Sequence, residues 1–404
     1  MPSDRQLLIL GNGFDLQCKL ESSFKNFVDY RQDLIDEAND RKNTVIVPIE
    51  ITLPNGSKEE KDAASAFLYD QKLTIWDIIF KKDRPQQTWN DIENCLQEWV
   101  SYRSTPAHTT GKRPIQQICK AFKNKSRADA TVNSINDFFL HPIEGVSIFA
   151  REIYDWDGQE GTLLDIFLDQ LHRYEQEFAS YLQEQANGSE YRDSAARLLE
   201  QLVEDEYMSE NDSSQNRHPG SMGAIDILNF NYTNPIPEAD KGKYRCRNIH
   251  GLADRENIIF GIDGTQLNPE MQHYDKIIKF SKAYRILALY NSFALSPLFK
   301  YDAGSQNSQI GVIKFYGHSL DEADYPYFQL IFDAVDLYAS NTRLIFYYHE
   351  TCPDDQVQKA REEMLEKVNR LITAYGQSLS DTNKGRYLPY KLILEDRLIL
   401  RQMP

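Results

Sequence analysis

The sequence predicts an α/β protein whose parallel sheet is covered by helices on both faces. Three observations predict it: an early apolar run ends in Gly11-Asn12-Gly13, strand-like runs alternate with helical patterns after residue 220, and a long helical region lies between them. Such alternation is typical of parallel sheets, because each parallel connection needs a crossover. We therefore predict a discontinuous sheet domain, residues 1–38 with 220–404, and a mostly helical insertion, residues 39–219.

The first predicted unit is a strand, a turn and a helix. Apolar residues in the run Gln6–Leu10 predict a buried strand, and an amphipathic segment follows the turn. Gly11 and Gly13 let backbone amides approach a ligand, and a helix start favours phosphate, so a nucleotide is the favoured ligand. Leu16 stands where a dinucleotide fingerprint has its third glycine. The structural alternative is a simple turn with Asp15 as a cap or first-turn carboxylate.

The middle of the chain is predicted to be helical. Residues 39–61 are polar and contain the turn sequence Pro54-Asn55-Gly56, which indicates a loop or a short hairpin. From there to about Tyr207, apolar residues recur at helical intervals. Residues 210–223 are polar, rich in Ser and Asn and without periodicity, which indicates a loop.

Strand-like runs return after this loop and alternate with helices. The predicted strands are Ala224–Phe230, the stretch around Tyr244–Ile249, Asn257–Ile262, Gln309–Tyr316 and Thr342–Tyr348. The predicted helices cover Asp321–Tyr338 and the region of Val357–Ile372, where apolar residues share one face. These elements complete the predicted sheet domain.

Composition and charge narrow the function classes. The chain has 404 residues, 41% of them hydrophobic, enough to bury a sizeable core. A formal net charge of -16 disfavours nucleic acid as a partner. The five cysteines are scattered without a C-x-x-C pair, and no apolar run approaches the ~20 residues of a membrane span. We expect a cytoplasmic protein with no metal and no membrane association.

Polar or glycine-rich sequence follows four of the predicted strands. The four stretches are Gly11–Asp15, Asn229–Asn234, Ile249–Gly251 and Gly317–Asp324. Ligands of doubly wound sheets bind at the carboxyl ends of the strands, so these stretches are expected to meet at one site. The residues that we assign to nucleotide binding are Gly11, Asn12, Gly13, Phe14, Thr233, Gly317, His318, Ser319 and Asp324.

Six motifs are spread along the chain: LGNGFD (10–15), SSFKNF (22–27), WNDIENCL (89–96), NFNYT (229–233), IHG (249–251) and GHSLDEADYPYF (317–328). Together they resemble the AbiH family of bacteriophage abortive-infection proteins. Their order is also similar to that of sirtuin-like, Rossmann-like domains, in which a glycine loop and a Gly-x-Ser turn hold NAD. The resemblance implies an anti-phage protein that binds NAD or a related nucleotide and hydrolyses it as a glycohydrolase.

By motif position, the resemblance assigns roles to two strand-end residues. In sirtuin-like domains an Asn and a His act near the nicotinamide ribose, which implies these roles for Asn231 and His250, with His250 as general base. Asp15 is the third residue assigned to catalysis, as a carboxylate that orients His250 or stabilises positive charge. Thr233 stands where sirtuin deacylases have an Asp, so protein deacylation is not implied. As structural alternatives, Asn231 closes a turn and Asp324 caps a helix.

Three functional alternatives stay open. Arg103 and His108 have the Arg-x4-His spacing of some small helical ribonucleases. Gly317-His318-Ser319 has the position of a nucleophile elbow, with Asp321 in place of its closing glycine and His349 downstream. In the third alternative the sheet domain binds a nucleotide as a signal without catalysis. The helical domain then meets a partner, for which a phage-encoded trigger, a second copy and a partner defence subunit are the candidates.

Overall fold

Six parallel strands form the sheet of this protein in its computed structural model. They are β1 (Arg5–Leu10), β4 (Ile225–Asn229), β5 (Tyr244–Asn248), β6 (Ile310–Tyr316), β7 (Arg343–His349) and β8 (Leu398–Met403); β2 (Ile49–Thr52) and β3 (Lys58–Lys61) form a separate antiparallel hairpin. The order across the sheet is β5-β4-β1-β6-β7-β8. From β1 at the centre, the chain adds β4 and β5 on one side and then β6, β7 and β8 on the other. This is the order of a doubly wound, Rossmann-like sheet, so the predicted fold class is confirmed.

The structure describes residues 5–40, 49–61, 64–82, 89–101, 113–124, 135–205, 225–240, 242–265, 267–290, 310–349 and 354–403. Its helices are α1 (Asn12–Gln17), α2 (Phe24–Asp40), α3 (Ala64–Asp70), α4 (Ile75–Lys82), α5 (Trp89–Val100), α6 (Pro114–Lys123), α7 (Ile135–Leu140), α8 (Pro142–Tyr154), α9 (Glu160–Ala186), α10 (Ser189–Glu204), α11 (Tyr274–Ile277), α12 (Lys282–Tyr290), α13 (Tyr325–Ala334), α14 (Asp354–Ser378) and α15 (Thr382–Leu394). The predicted loop at 210–223 lies outside the described residues.

The chain divides into two compact units. The sheet unit comprises residues 1–21, 184–252 and 294–404, and the helical unit comprises residues 22–183 and 253–293. These units differ from the predicted domain ranges, because residues 22–38 and 253–293 group with the helices and residues 184–205, which include α10, group with the sheet. The predicted ranges stay a prediction about independently folding domains.

The strand ends of the sheet unit are level with one another. Leu10 pairs with Asn229 on one side and with Tyr316 on the other, and Asn229 pairs in turn with Asn248. The residues that directly follow β1, β4, β5 and β6 therefore start from one edge of the sheet. This register sets the positions of the candidate site residues.

Apolar side chains cover both faces of the sheet. On one face Leu8 and Ile227 belong to a buried cluster with Phe14 of α1 and Leu199 of α10. On the other face Phe315 stacks on Phe346 at a ring separation of 4.4 Å and meets two phenylalanines of α13. Alternate residues of β6 thus face opposite layers, as the period of a strand requires.

The helical unit is built around aromatic side chains. Phe27 lies 4.8 Å from Phe178 and 5.3 Å from Tyr174, measured between ring centroids. Phe260 joins this cluster, with its ring 5.6 Å from Phe178. Among the described helices, in either unit, none has the length and apolar character that crossing a bilayer requires.

One predicted strand is wrong, and one observed strand was not predicted. The run Asn257–Ile262 forms no strand; Ile262 makes an isolated bridge to Ser281. Its apolar residues are buried in the helical unit, which produces the same hydrophobic run as a buried strand. The other five predicted strands are confirmed to within one residue at each end, while β8 at the sheet edge adds to them.

Candidate functional site

Glycines bring the turns after β1 and β6 into direct contact. The amide of Gly11 donates to the Tyr316 carbonyl (3.0 Å), and that of Gly13 donates to the Gly317 carbonyl (2.8 Å). A Cβ atom on Gly13 would lie 2.6 Å from the Gly317 Cα, and Gly317 itself has a φ of +66°. Packing between the turns therefore requires these glycines. Their two amides are occupied by carbonyls, so their assignment to nucleotide binding stays a prediction.

The other residues of the first motif differ in exposure. Phe14 is fully buried, and its ring meets the Tyr316 ring edge-on at 6.1 Å, so its side chain belongs to the core. Asn12 is half-buried beside it, and Ser319 of the β6 turn is exposed. Of these three predicted contacts, the described geometry leaves Asn12 and Ser319 with surface to offer a ligand.

Asp15 is buried and accepts hydrogen bonds from two hydroxyl groups. Thr233 Oγ1 donates to Asp15 Oδ2 (2.7 Å), and Tyr191 Oη of α10 donates to Asp15 Oδ1 (2.9 Å). Burial raises the pKa of Asp15 to about 6, against the lowering effect of both hydrogen bonds. Asp15 therefore changes protonation near neutral pH. Tyr191 was not predicted, because it lies on the apolar face of a helix and nothing local marks its hydroxyl.

Two asparagines hold the loop after β4. The Asn229 side chain accepts a hydrogen bond from the backbone N–H of Asn231 (3.1 Å) and donates one to the backbone carbonyl of Thr233 (2.8 Å). Asn248, the partner of Asn229 across the sheet, donates from Nδ2 to the carbonyls of Asn231 and Thr233, both at 3.0 Å. These bonds fix the loop backbone at both ends. Asn248 was missed, although Asn248-x-His250 repeats the spacing of Asn229-x-Asn231.

The side chain of Asn231 differs from these two. It is 3% exposed, and within the described part of the chain neither Nδ2 nor Oδ1 has a hydrogen-bond partner. Leaving a buried polar group unsatisfied costs about 1–3 kcal/mol, and such groups in native structures call for an explanation such as a ligand or a water. The side-chain amide of Asn231 thus offers a ligand the donor group Nδ2 and the acceptor Oδ1.

His250 lies among aromatic rings that come from two other segments. Its ring centroid is 5.8 Å from Phe230, 6.2 Å from Tyr232 and 6.4 Å from Tyr327. Phe230 and Tyr232 flank Asn231 in the chain, so the loop that carries Asn231 packs against His250 through both neighbours. The structure therefore brings the loop of Asn231 and the ring of His250 together at one edge of the sheet. Tyr327, on the first turn of α13, was not predicted as part of this group.

His318 is held by contacts to both of its ring nitrogens. Nδ1 accepts a hydrogen bond from the Leu320 amide (2.9 Å), so the proton of the neutral ring lies on Nε2, which is 3.5 Å from Asp324 Oδ2. Asp324 is at the N-cap of α13, where its side chain makes no capping hydrogen bond. The His318 ring also packs edge-on against Phe230 at 4.5 Å. This pair thus supports the ring cluster around His250.

The family comparison extends over most of these residues. A sequence model of the family described as "Bacteriophage abortive infection AbiH" matches residues 7–348. This chain belongs to the AbiH family. It is accordingly a phage abortive-infection protein. No curated protein and no solved structure matches the chain. The similarity to sirtuin-like NAD-binding domains stays a prediction.

The AbiH match contains the whole candidate site, from Gly11 to Asp324, and ends within β7. Helices α14 and α15 and the edge strand β8 lie beyond it. Of the alternatives predicted from the sequence, Arg103 and His108 lie outside the described residues, as does the side chain of His349. The hydroxyl-bearing Ser319 is exposed on the β6 turn, next to the buried His318.

Proposed function

We propose that this AbiH protein hydrolyses NAD, or a related nucleotide, at the strand edge that carries Asn231 and His250. The observation that supports it most is the buried Asn231 amide, which has no partner among the described residues and lies on a loop packed against His250. A donor and an acceptor in such a place suit a polar ligand. The aromatic rings beside His250 suit a planar ligand.

Hydrolysis requires few groups from the protein. The bond between ribose C1′ and the nicotinamide nitrogen breaks, and its electron pair neutralises the positively charged ring. A water oxygen bonds to C1′ and loses a proton. In the proposal His250 takes that proton as general base, a role that contributes roughly 10²–10⁴-fold to rate. ADP-ribose, nicotinamide and one proton are the products.

Asp15 acts in this proposal through Thr233. Its carboxylate holds the Thr233 hydroxyl, and the Thr233 carbonyl is bound in turn by Asn229 and Asn248. Asp15 is therefore a positioning residue for the loop of Asn231. This revises the role predicted from the sequence, in which Asp15 acts on His250 or on the sugar.

The test measures NAD and RNA in cells that carry the protein and are infected with a phage that it restricts. We expect NAD to fall and nicotinamide to rise after infection in cells with the wild type, and both to stay constant with Asn231→Ala or His250→Ala. Asn234→Ala is the matched control, because Asn234 is an exposed residue of the same loop. Activity before infection is expected to be low, since constitutive loss of NAD would poison the cell.

Two results would overturn the proposal. Constant NAD with degraded RNA would favour a ribonuclease. Constant NAD and intact RNA, with a nucleotide bound to the purified wild type and not to Asn231→Ala, would favour the signal-binding alternative.

A further inference from the structure

We infer that Asn231 recognises a paired donor–acceptor edge of a planar nitrogen heterocycle, either the carboxamide of a nicotinamide nucleotide or the amino edge of adenine. The protein then discriminates against ligands in which that amide or amino group is replaced by oxygen. The inference rests on the proposed site and names the ligand chemistry that the site selects.

The side chain of Asn231 has both a donor and an acceptor to offer a ligand. Both polar atoms of its amide are buried, and among the described residues both lack a partner. A carbonyl oxygen only accepts, so it pairs with Nδ2 and leaves Oδ1 unsatisfied at a cost. A carboxamide, or the adjacent amino group and ring nitrogen of adenine, pairs with both, as asparagine does with adenine in nucleic acids.

Hydrogen bonds hold the backbone of the loop that carries Asn231. Asn229 and Asn248 bind the backbone of residues 231 and 233, so the position of the Asn231 Cα is fixed by four hydrogen bonds of 2.8–3.1 Å. A side chain on a fixed backbone loses little entropy on binding a ligand. Bidentate recognition needs such a preorganised group.

Two tyrosine rings lie beside His250. Tyr232 and Tyr327 are half-buried, and both have their rings within 6.4 Å of the His250 ring. Aromatic side chains of this kind offer flat apolar surface to a planar ring. The combination of a flat surface with one bidentate amide selects by the edge of the heterocycle.

The experiment measures binding of two matched ligand pairs to the purified full chain by calorimetry. The pairs are nicotinamide mononucleotide with nicotinic acid mononucleotide, and AMP with IMP. We expect the wild type to prefer the amide or amino member of one pair by about 5- to 150-fold, the effect of one bidentate contact. The pair that shows the preference identifies the heterocycle.

Two variants test whether Asn231 causes the preference. In Asn231→Asp the donor becomes an acceptor, and in Asn231→Ser one short hydroxyl replaces the amide, so both should lose the preference. Asn234→Asp is the control and should keep it, because the exposed Asn234 side chain acts there as an acceptor for the Ile236 amide (3.2 Å). The two variants together guard against a loss of folding in one of them.

The outcomes separate this inference from the proposed hydrolysis. Equal affinity within both pairs, or a preference that survives in both Asn231 variants, would refute the inference. Chromatography of each sample after titration records cleavage independently. Selective binding by the purified chain, together with constant NAD in infected cells, contradicts only the hydrolysis. Loss of NAD in infected cells, together with equal affinity within both ligand pairs, contradicts only the inference.

Discussion

Asp15 of the sheet unit is held differently from the buried carboxylates of the helical unit, and also from Asp226 of β4, which faces the Arg5 guanidinium at 2.6 Å. In the helical unit Asp77 faces Arg31, with Nε–Oδ1 and Nη2–Oδ2 distances of 2.8 Å, and Glu175 faces Arg285 with an Nη2–Oε2 distance of 2.7 Å. In the sheet unit, the hydrogen bonds to Asp15 come from hydroxyl groups, and burial raises its pKa to about 6. Burial raises the pKa of Glu175 more than the Arg285 guanidinium lowers it. At Asp15 the groups that oppose burial are hydroxyls, and carboxyl groups with a raised pKa are typical of functional sites.

The largest expected effect comes from breaking a guanidinium pair. Arg31→Met should lower the free energy of unfolding by about 3–5 kcal/mol, because it leaves Asp77 charged and buried without its main partner. Urea unfolding followed by circular dichroism measures the change. Arg31→Met combined with Asp77→Asn should recover much of the loss, since no buried charge then remains. An equal loss in single and double variants would show that Arg31 stabilises by packing alone.

The next effect concerns the pH dependence caused by Asp15. Its pKa is about 6 in the folded protein against 3.8 for an ordinary aspartate, so between these values the folded protein binds a proton that the unfolded chain has released. Stability should therefore fall as pH rises from about 4 to about 6, by about 3 kcal/mol in total, and stay lower above that. The difference between wild type and Asp15→Asn in urea midpoints across pH 4–7.5 isolates this contribution. A constant difference would place the Asp15 pKa at its ordinary value.

A smaller effect is expected from a buried cation of the sheet unit. Lys314 of β6 is 2% exposed and donates to the Leu202 carbonyl (2.6 Å) near the end of α10. The carbonyls there carry the negative end of the helix dipole, so they stabilise the ammonium. Lys314→Met should lower the free energy of unfolding by about 1.5–3 kcal/mol, the range for a hydrogen bond to a charged group, in the same unfolding assay. A cost below that of Tyr316→Phe would contradict this assignment.

The smallest effect is expected at a second unpartnered group. Tyr316 is 3% exposed, and its hydroxyl has no hydrogen-bond partner within the described residues. Tyr316→Phe should therefore change the free energy of unfolding by less than about 1 kcal/mol, and it should leave nucleotide binding unchanged. Its ring contacts with Phe14 and Tyr347 remain in the variant. A larger loss would reveal a partner for this hydroxyl.

Most of the sheet could be predicted, because β1, β4, β6 and β7 are short, mostly apolar runs and β5 has an alternating pattern. The exceptions have local causes. Asn257–Ile262 is as apolar as a buried strand, but it packs beside Glu175, whose carboxylate accepts from the Phe260 amide (2.6 Å). The sequence of β8, LILRQM, mixes apolar and polar residues at a half-buried edge, so its pattern is weak. Tertiary packing decides both, and a window of six residues does not contain it.

The candidate site could be predicted as a set of strand ends, but its contacts could not. Phe230 and Tyr232, which flank Asn231, lie beside His250, as parallel strand ends imply. Tyr191 reaches Asp15 across 176 residues of chain, and its spacing on α10 predicts only burial. The occupied amides of Gly11 and Gly13 depend on where the β6 turn lies, which only the three-dimensional structure gives.

The central position of β1 has a consequence for synthesis. This strand is the first to leave the ribosome, yet Leu10 pairs with Asn229 and Tyr316, which follow some 200 to 300 residues later. At about 5–20 residues per second, β1 waits roughly 15–60 s for β6. Until β6 has been synthesised, the Gly317 turn that follows it cannot join the strand ends that carry Asn231 and His250. The full set of strand ends is therefore complete only after synthesis has passed β6.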